Sequence, residues 1–171
     1  FIMKRILLIL ILTFSFQSLA KADDIKDFEI EGMSIGDSLL DFFTEEEIKN
    51  GAIKKAYSNK KFSKYYFHDL PTFSTYEALI MYTKSTDQKY IIYSIAGRIF
   101  YPDKIDSCLK QRDIVASEVN KFFKGVTDFK KIGPRKFILK QDKSKKSFGH
   151  YVKFQLNSDS SIAITCYDFF K

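Results

Sequence analysis

The chain has two cysteines, Cys108 and Cys166, and whether they are joined decides how its last third can fold. A bridge would pin the middle of the chain to its far end and restrict the unfolded state, whereas two free thiols would leave each segment to find its own packing. Compartment decides between these, because disulfides persist in oxidising surroundings and are rare in the cytosol. The opening residues bear on compartment. Lys4 and Arg5 precede an uncharged run of eleven residues at 6–16, and Ala20-Lys21-Ala22 then offers small residues at both positions that a signal peptidase reads. Such a run fits a secretory leader and falls short of the ~20 apolar residues that span a bilayer. Residues 1–22 are therefore expected to be a signal peptide cut after Ala22, with Met3 as its start and Phe1 and Ile2 ahead of it. No cysteine lies near the cut to accept lipid, and no transmembrane anchor is expected. The mature protein is expected in the periplasm or secreted, with Cys108 and Cys166 joined as its only possible intramolecular pair.

Residues 23–171 are enough for a single domain with one core. Their charge is uneven. Residues 23–50 hold ten acids and two lysines, net −8, whereas 51–171 hold 23 basic and 11 acidic residues, net +12. Basic surfaces attract nucleic acid, anionic membrane or acidic polymers. Nucleic acid is disfavoured here by export and by the scarcity of arginine after the leader (Arg98, Arg112 and Arg135), since bidentate phosphate recognition favours arginine over lysine.

Periodicity gives the element order. Ser34 with Asp37 and Thr44 with Glu47 form two capping-box patterns, predicting short helices near 35–43 and 45–57, the second weakened by Gly51. The aromatic cluster at 61–67 suits a strand, and 77–84 and 89–101 form a hairpin around Ser85, Thr86 and Asp87, with Gly97 as a candidate bulge. Asp103 is the expected cap of the longest helix, whose apolar stripe runs Ile105, Leu109, Arg112, Val115, Val119 and Phe122 before Gly125 stops it. Strands follow near 136–139, 150–156 and 161–169, with Ile162, Ile164 and Cys166 on one face. The expected class is α+β: one antiparallel sheet of about five to six strands, packed by a long helix and preceded by a short N-terminal helix pair.

Chemistry-bearing motifs are sparse. His68, His150, Cys108 and Cys166 lie at no paired metal-ligand spacing, so neither a metal nor a cofactor is expected, and the disulfide takes the thiols from any Cys–His nucleophile. Serine-hydrolase and nucleotide-binding fingerprints are absent from the sequence. Glu45, Glu46 and Glu47 suit the first turn of a helix, where the dipole favours negative charge. One stretch stands out. Residues 130–146 carry Lys130, Lys131, Arg135, Lys136, Lys140, Lys143, Lys145 and Lys146 against Asp142 alone. Flanked by strands, this segment can present cations to anionic lipid, lipopolysaccharide, an acidic glycan or an envelope protein; the competing expectation is an ordinary solvated loop. Tyr65, Tyr66, Phe67, Tyr167, Phe169 and Phe170 are expected mostly in the core.

The stretches EGMSIGDSLLDFFTEEEI, IFYPDKIDSCLKQRDIV and ITCYDFF resemble small exported proteins of AT-rich marine alphaproteobacteria of the Pelagibacter type. That resemblance implies compartment and lineage, and no particular activity. EGMSIGDSL is also similar to the opening of small outer-membrane assembly lipoproteins, although this chain lacks their lipidated cysteine and adds a long helix. The function expected is a non-enzymatic exported binder. The alternative is a periplasmic hydrolase acting on an envelope polymer, with a site assembled from residues distant in sequence.

Overall fold

Short turns between runs of β-branched and aromatic residues favour antiparallel neighbours, and the computed structural model, which describes residues 24–53, 61–101, 104–156 and 159–170, contains two such meanders. The first is a four-stranded sheet in the order β1 (Ala52–Ile53), β2 (Phe62–His68), β3 (Ala78–Lys84), β4 (Ser94–Arg98). The second has three strands in the order β5 (Lys130–Ile138), β6 (Phe148–Gln155), β7 (Ser161–Asp168). Among the described residues two α-helices accompany them, α1 (Glu45–Gly51) and α2 (Ile105–Phe122). The class is α+β. The single sheet of five to six strands is corrected to two sheets, with α2 between them in sequence and packed on β6 and β7. Alternation specifies which neighbours pair across a turn, but not whether two meanders join edge to edge.

The expected N-terminal helix pair is also corrected. Residues 35–43 make only a 3-10 turn at Leu39–Asp41, because the backbone before it finds partners elsewhere. Gly36 adopts φ +104 and donates to the carbonyl of Ile92, whose own N–H reaches Asp37, while the Leu39 N–H reaches Tyr90. Residues 90–92 thereby leave the long strand expected at 89–101. Thr44 and Glu47 do form a capping box, but α1 ends at Gly51 rather than at 57. Gly97 holds no bulge: β3 and β4 pair without a register shift from Ala78–Arg98 to Tyr82–Ser94. The ring of Tyr76 occupies the space that a Cβ at Gly97 would need. The bulge lies instead between Ile132 and Arg135, at Gly133 (φ +103) and Pro134, residues that a regular strand interior excludes.

Each sheet has its own core. Leu39, Ile48, Leu79 and Met81 fill the first, and Val119, Phe123, Val152 and Phe154 the second. The buried stripe of α2 is Arg112, Ala116 and Val119, continued by Phe123 just past the helix. Phe122, expected inside, is exposed; its ring meets Phe28 edge-on at 6.2 Å, while Phe123 packs against Phe129 at 5.8 Å. The N-cap of α2 is Lys104. Asp103, its expected cap, and the expected leader at 1–22 lie outside the described residues.

The cysteines are joined. Cys108, in the first turns of α2, and Cys166, on the inner face of β7 with Ile162 and Ile164, form a disulfide with Cα atoms 5.9 Å apart. It fixes the start of α2 to the edge strand of the second sheet. Among the described residues no helix is long and apolar enough to cross a membrane.

Candidate functional site

Two places offer more than core packing. The first is a slot of about 270 Å³ between the two sheets. Residues 94–97 of β4 and 161–166 of β7 line it consecutively. Both strands end their sheets, and an unbroken run of lining residues means that the slot meets strand edges, since a strand face would contribute every second residue. α2 closes one side with Gln111, Arg112 and Val115. Arg112 is the one charged lining residue among the described residues; its side chain is 9% exposed, and its Nη2 and Nε donate to Asp113 Oδ1 at 2.7 and 2.9 Å.

Tyr76 enters the slot from a loop tied down by Glu31. The Glu31 carboxylate accepts the N–H groups of Ser74, Thr75 and Tyr76 at 2.9, 2.6 and 2.8 Å, and the Ser74 hydroxyl at 3.0 Å. Burial pushes the Glu31 carboxyl up, but these donors outweigh it and hold the pKa at about 2. Burial first, then the charges of Glu31 and Glu118, pushes the Tyr76 hydroxyl up. The slot offers apolar walls, hydroxyls, one amide and one guanidinium. Its lining contains no carboxylate or imidazole among the described residues.

The other chemistry-bearing residues are dispersed. His68 closes β2, with Nδ1 2.8 Å from Asp69 Oδ2, and His150 lies in the second sheet opposite Cys166. Among the described residues no three His, Cys, Asp or Glu side chains cluster as metal ligands do. Glu47 accepts the Thr44 N–H at 2.8 Å and Glu45 pairs with Lys49 at 3.1 Å, giving the glutamate run its place at a helix start.

The second place is the basic segment. The strand expected at 136–139 starts at Lys130, so half of the cations lie on β5 and only Lys140, Lys143, Lys145 and Lys146 in the turn that follows. Register divides the strand's share. Lys131 and Lys136 oppose Phe154 and His150 on the α2 side, whereas Lys130 and Arg135 oppose Gln155 and Tyr151 on the other face. All eight cations are exposed, and none is ion-paired among the described residues.

Asp142 organises the turn. Its carboxylate accepts the Ser144 hydroxyl at 2.6 Å and the N–H groups of Ser144, Lys146 and Ser147 at 2.8, 3.0 and 2.7 Å. The Ser144 hydroxyl foremost, with the other donors, holds this carboxyl well below the usual range. The turn is thus shaped around its one acid, with its lysines outward. The expected core aromatics divide: Tyr65 and Phe67, on β2, are buried and Tyr66 half-buried, but Tyr167, Phe169 and Phe170, near this turn, are exposed. Apolar character alone misplaces these three. The signal that places two of them is alternation, because Cys166 facing inward turns Tyr167 and Phe169 away. Comparison with protein families, with curated proteins and with solved structures finds no match for this chain.

Proposed function

We propose that this is an exported, non-enzymatic protein that binds an anionic component of the cell envelope through β5 and the turn after it. The observation that carries the reading is the exposure of all eight cations of 130–146, around a turn whose only acid is engaged by four hydrogen-bond donors. The secretory pattern at 1–22 and the disulfide support export. The partner class is anionic lipid, lipopolysaccharide, an acidic glycan or an envelope protein, recognised by lysines that act as point charges. The alternative, a hydrolase acting on an envelope polymer, draws no support from the slot.

The test is binding of the mature protein to immobilised polyanions and to anionic vesicles. Lys143→Glu/Lys145→Glu/Lys146→Glu is expected to weaken binding by about a hundredfold or more, since each lysine near an anionic surface contributes about 1 kcal/mol. Binding by the unaltered protein is expected to fall as salt rises. Equal binding by both proteins at low salt would reduce the segment to a solvated turn.

A further inference from the structure

Resting on that reading of the basic segment, the geometry points to the surface engaged: we infer that one end of the second sheet docks on an anionic lipid bilayer, inserting aromatic side chains within a rim of lysines. Of the twelve large hydrophobic side chains exposed among the described residues, five are Phe137, Ile138, Tyr167, Phe169 and Phe170. The register sets them at one end of the sheet, on both of its faces: Phe137 and Tyr167 share the face turned away from α2, and Ile138 the opposite one. Ile138, Phe148 and Asp168 form one rung across β5, β6 and β7, and Phe137, Gly149 and Tyr167 form the next. Beyond these rungs lie the lysine turn on one side and Phe169 and Phe170 on the other. The Phe170 N–H donates to the Ser147 hydroxyl at 3.0 Å, tying the two together.

Charge and apolar area interleave at this end. Lys146 Nζ lies 4.3 Å from the Phe170 ring centroid and Lys136 Nζ 3.5 Å from that of Phe148, while Tyr167 stacks on Phe169 at 6.1 Å. Phe169 and Phe170 are the most exposed of the five, at 68% and 58%. Exposed rings of this size at one end of a sheet, with cations among them, mark an interaction surface.

The chemistry of the rim and centre selects a bilayer over a soluble polyanion. An acidic glycan needs directional partners for its hydroxyls, yet of the five exposed side chains only Tyr167 has a polar tip, and the Asp142 oxygens are already engaged. Lipid matches both parts: phosphates meet the lysines without strict direction, and the rings enter the headgroup boundary as in other interfacial binders.

The experiment measures vesicle co-sedimentation, with phosphatidylglycerol-containing or neutral phosphatidylcholine vesicles, beside binding to dextran sulfate. Phe169→Ser/Phe170→Ser is expected to lower affinity for the anionic vesicles at least about tenfold while leaving dextran sulfate binding within about twofold. The lysine-reversal variant is expected to lose both. The chain has no tryptophan, so Phe169→Trp supplies a unique probe whose emission should shift to the blue with anionic vesicles and not with dextran sulfate. Circular dichroism confirms that each variant is folded. Wild-type vesicle affinity in the serine variant, together with an unshifted tryptophan, would overturn insertion while leaving the anionic reading in place. Failure of the unaltered protein to bind either vesicles or dextran sulfate would overturn both.

Discussion

Replacing both cysteines with alanine tests how far the disulfide, rather than the packing beneath it, holds α2 on the second sheet. Cys108 and Cys166 are 58 residues apart in sequence, and closing a loop of that length removes unfolded-chain entropy worth about 4 kcal/mol at room temperature. The packing that remains is substantial: Ala116, Val119 and Phe123 stay buried against Val152 and Phe154 whether or not the sulfurs are joined. Cys108→Ala/Cys166→Ala is therefore expected to fold, with its thermal midpoint lowered by about 8–16 °C for a chain of this size. Urea unfolding of the oxidised and doubly substituted proteins, followed by circular dichroism, gives the difference directly. The variant should also show a larger dependence on urea, because its unfolded chain exposes more surface. A variant within about 1 kcal/mol of the oxidised protein would refute the loop argument. A variant that does not fold would show that the helix–sheet core is too weak to stand alone.

Two further outcomes follow from single side chains. Phe123 is fully buried and joins Phe28, Phe129 and Val119; Phe123→Ala should cost about 3–5 kcal/mol in urea unfolding, whereas Phe122→Ala should cost under about 1.5. Glu31 has its pKa depressed from 4.5 to about 2 on folding, so its contribution is present above pH 4.5 and is lost as pH falls toward 2. Discounted for solvent screening, that is on the order of 1 kcal/mol, and Glu31→Gln should flatten the stability profile across that window; an unchanged slope would dismiss the lock on Ser74, Thr75 and Tyr76.

Period-two alternation made β6 and β7 legible, because a one-residue slip would move Val152, Phe154 and Cys166 from the core to solvent, whereas β2 and β3 showed through aromatic and β-branched runs between turn formers. The disulfide was legible for the same reason: the helical and strand patterns each turn a cysteine toward the other element. The division into two sheets was not, since joining β4 to β5 depends on where α2 lands, a long-range packing matter. The slot shares that origin, being a gap between edges rather than a motif. At Gly133-Pro134 a local turn signal hid a continuing strand, which a bulge accommodates. The acidic opening and basic body were plain in the composition, but their placement required the fold.

That placement bears on how the protein approaches an anionic surface. Ile25 and Phe28 pack beside Val119 and Phe123, at the end of α2 remote from Cys108. The lysine and aromatic end lies beyond Cys166, at the start of α2. Helical rise from Cys108 to Phe123 is roughly 22 Å, and Glu29 follows Phe28, which packs at the Phe123 end. The positive end of the α2 dipole points the same way as the lysines. The lysine turn and Glu29 are thus set apart along the helix, with Lys130 and Lys131 at the far end opposite Gln155 and Phe154; this favours approach by the lysine turn first, and the screening length makes the consequence measurable. At physiological ionic strength, where it is about 8 Å, the exposed Glu29 is screened from a bilayer at the other end, so Glu29→Gln should leave affinity for anionic vesicles within about twofold. At about 0.01 M salt the length rises to about 30 Å, and the same variant should bind measurably tighter than the unaltered protein. A gain of fivefold or more at physiological ionic strength, the effect of one lysine at the surface, would put Glu29 against the lipid and overturn the proposed orientation.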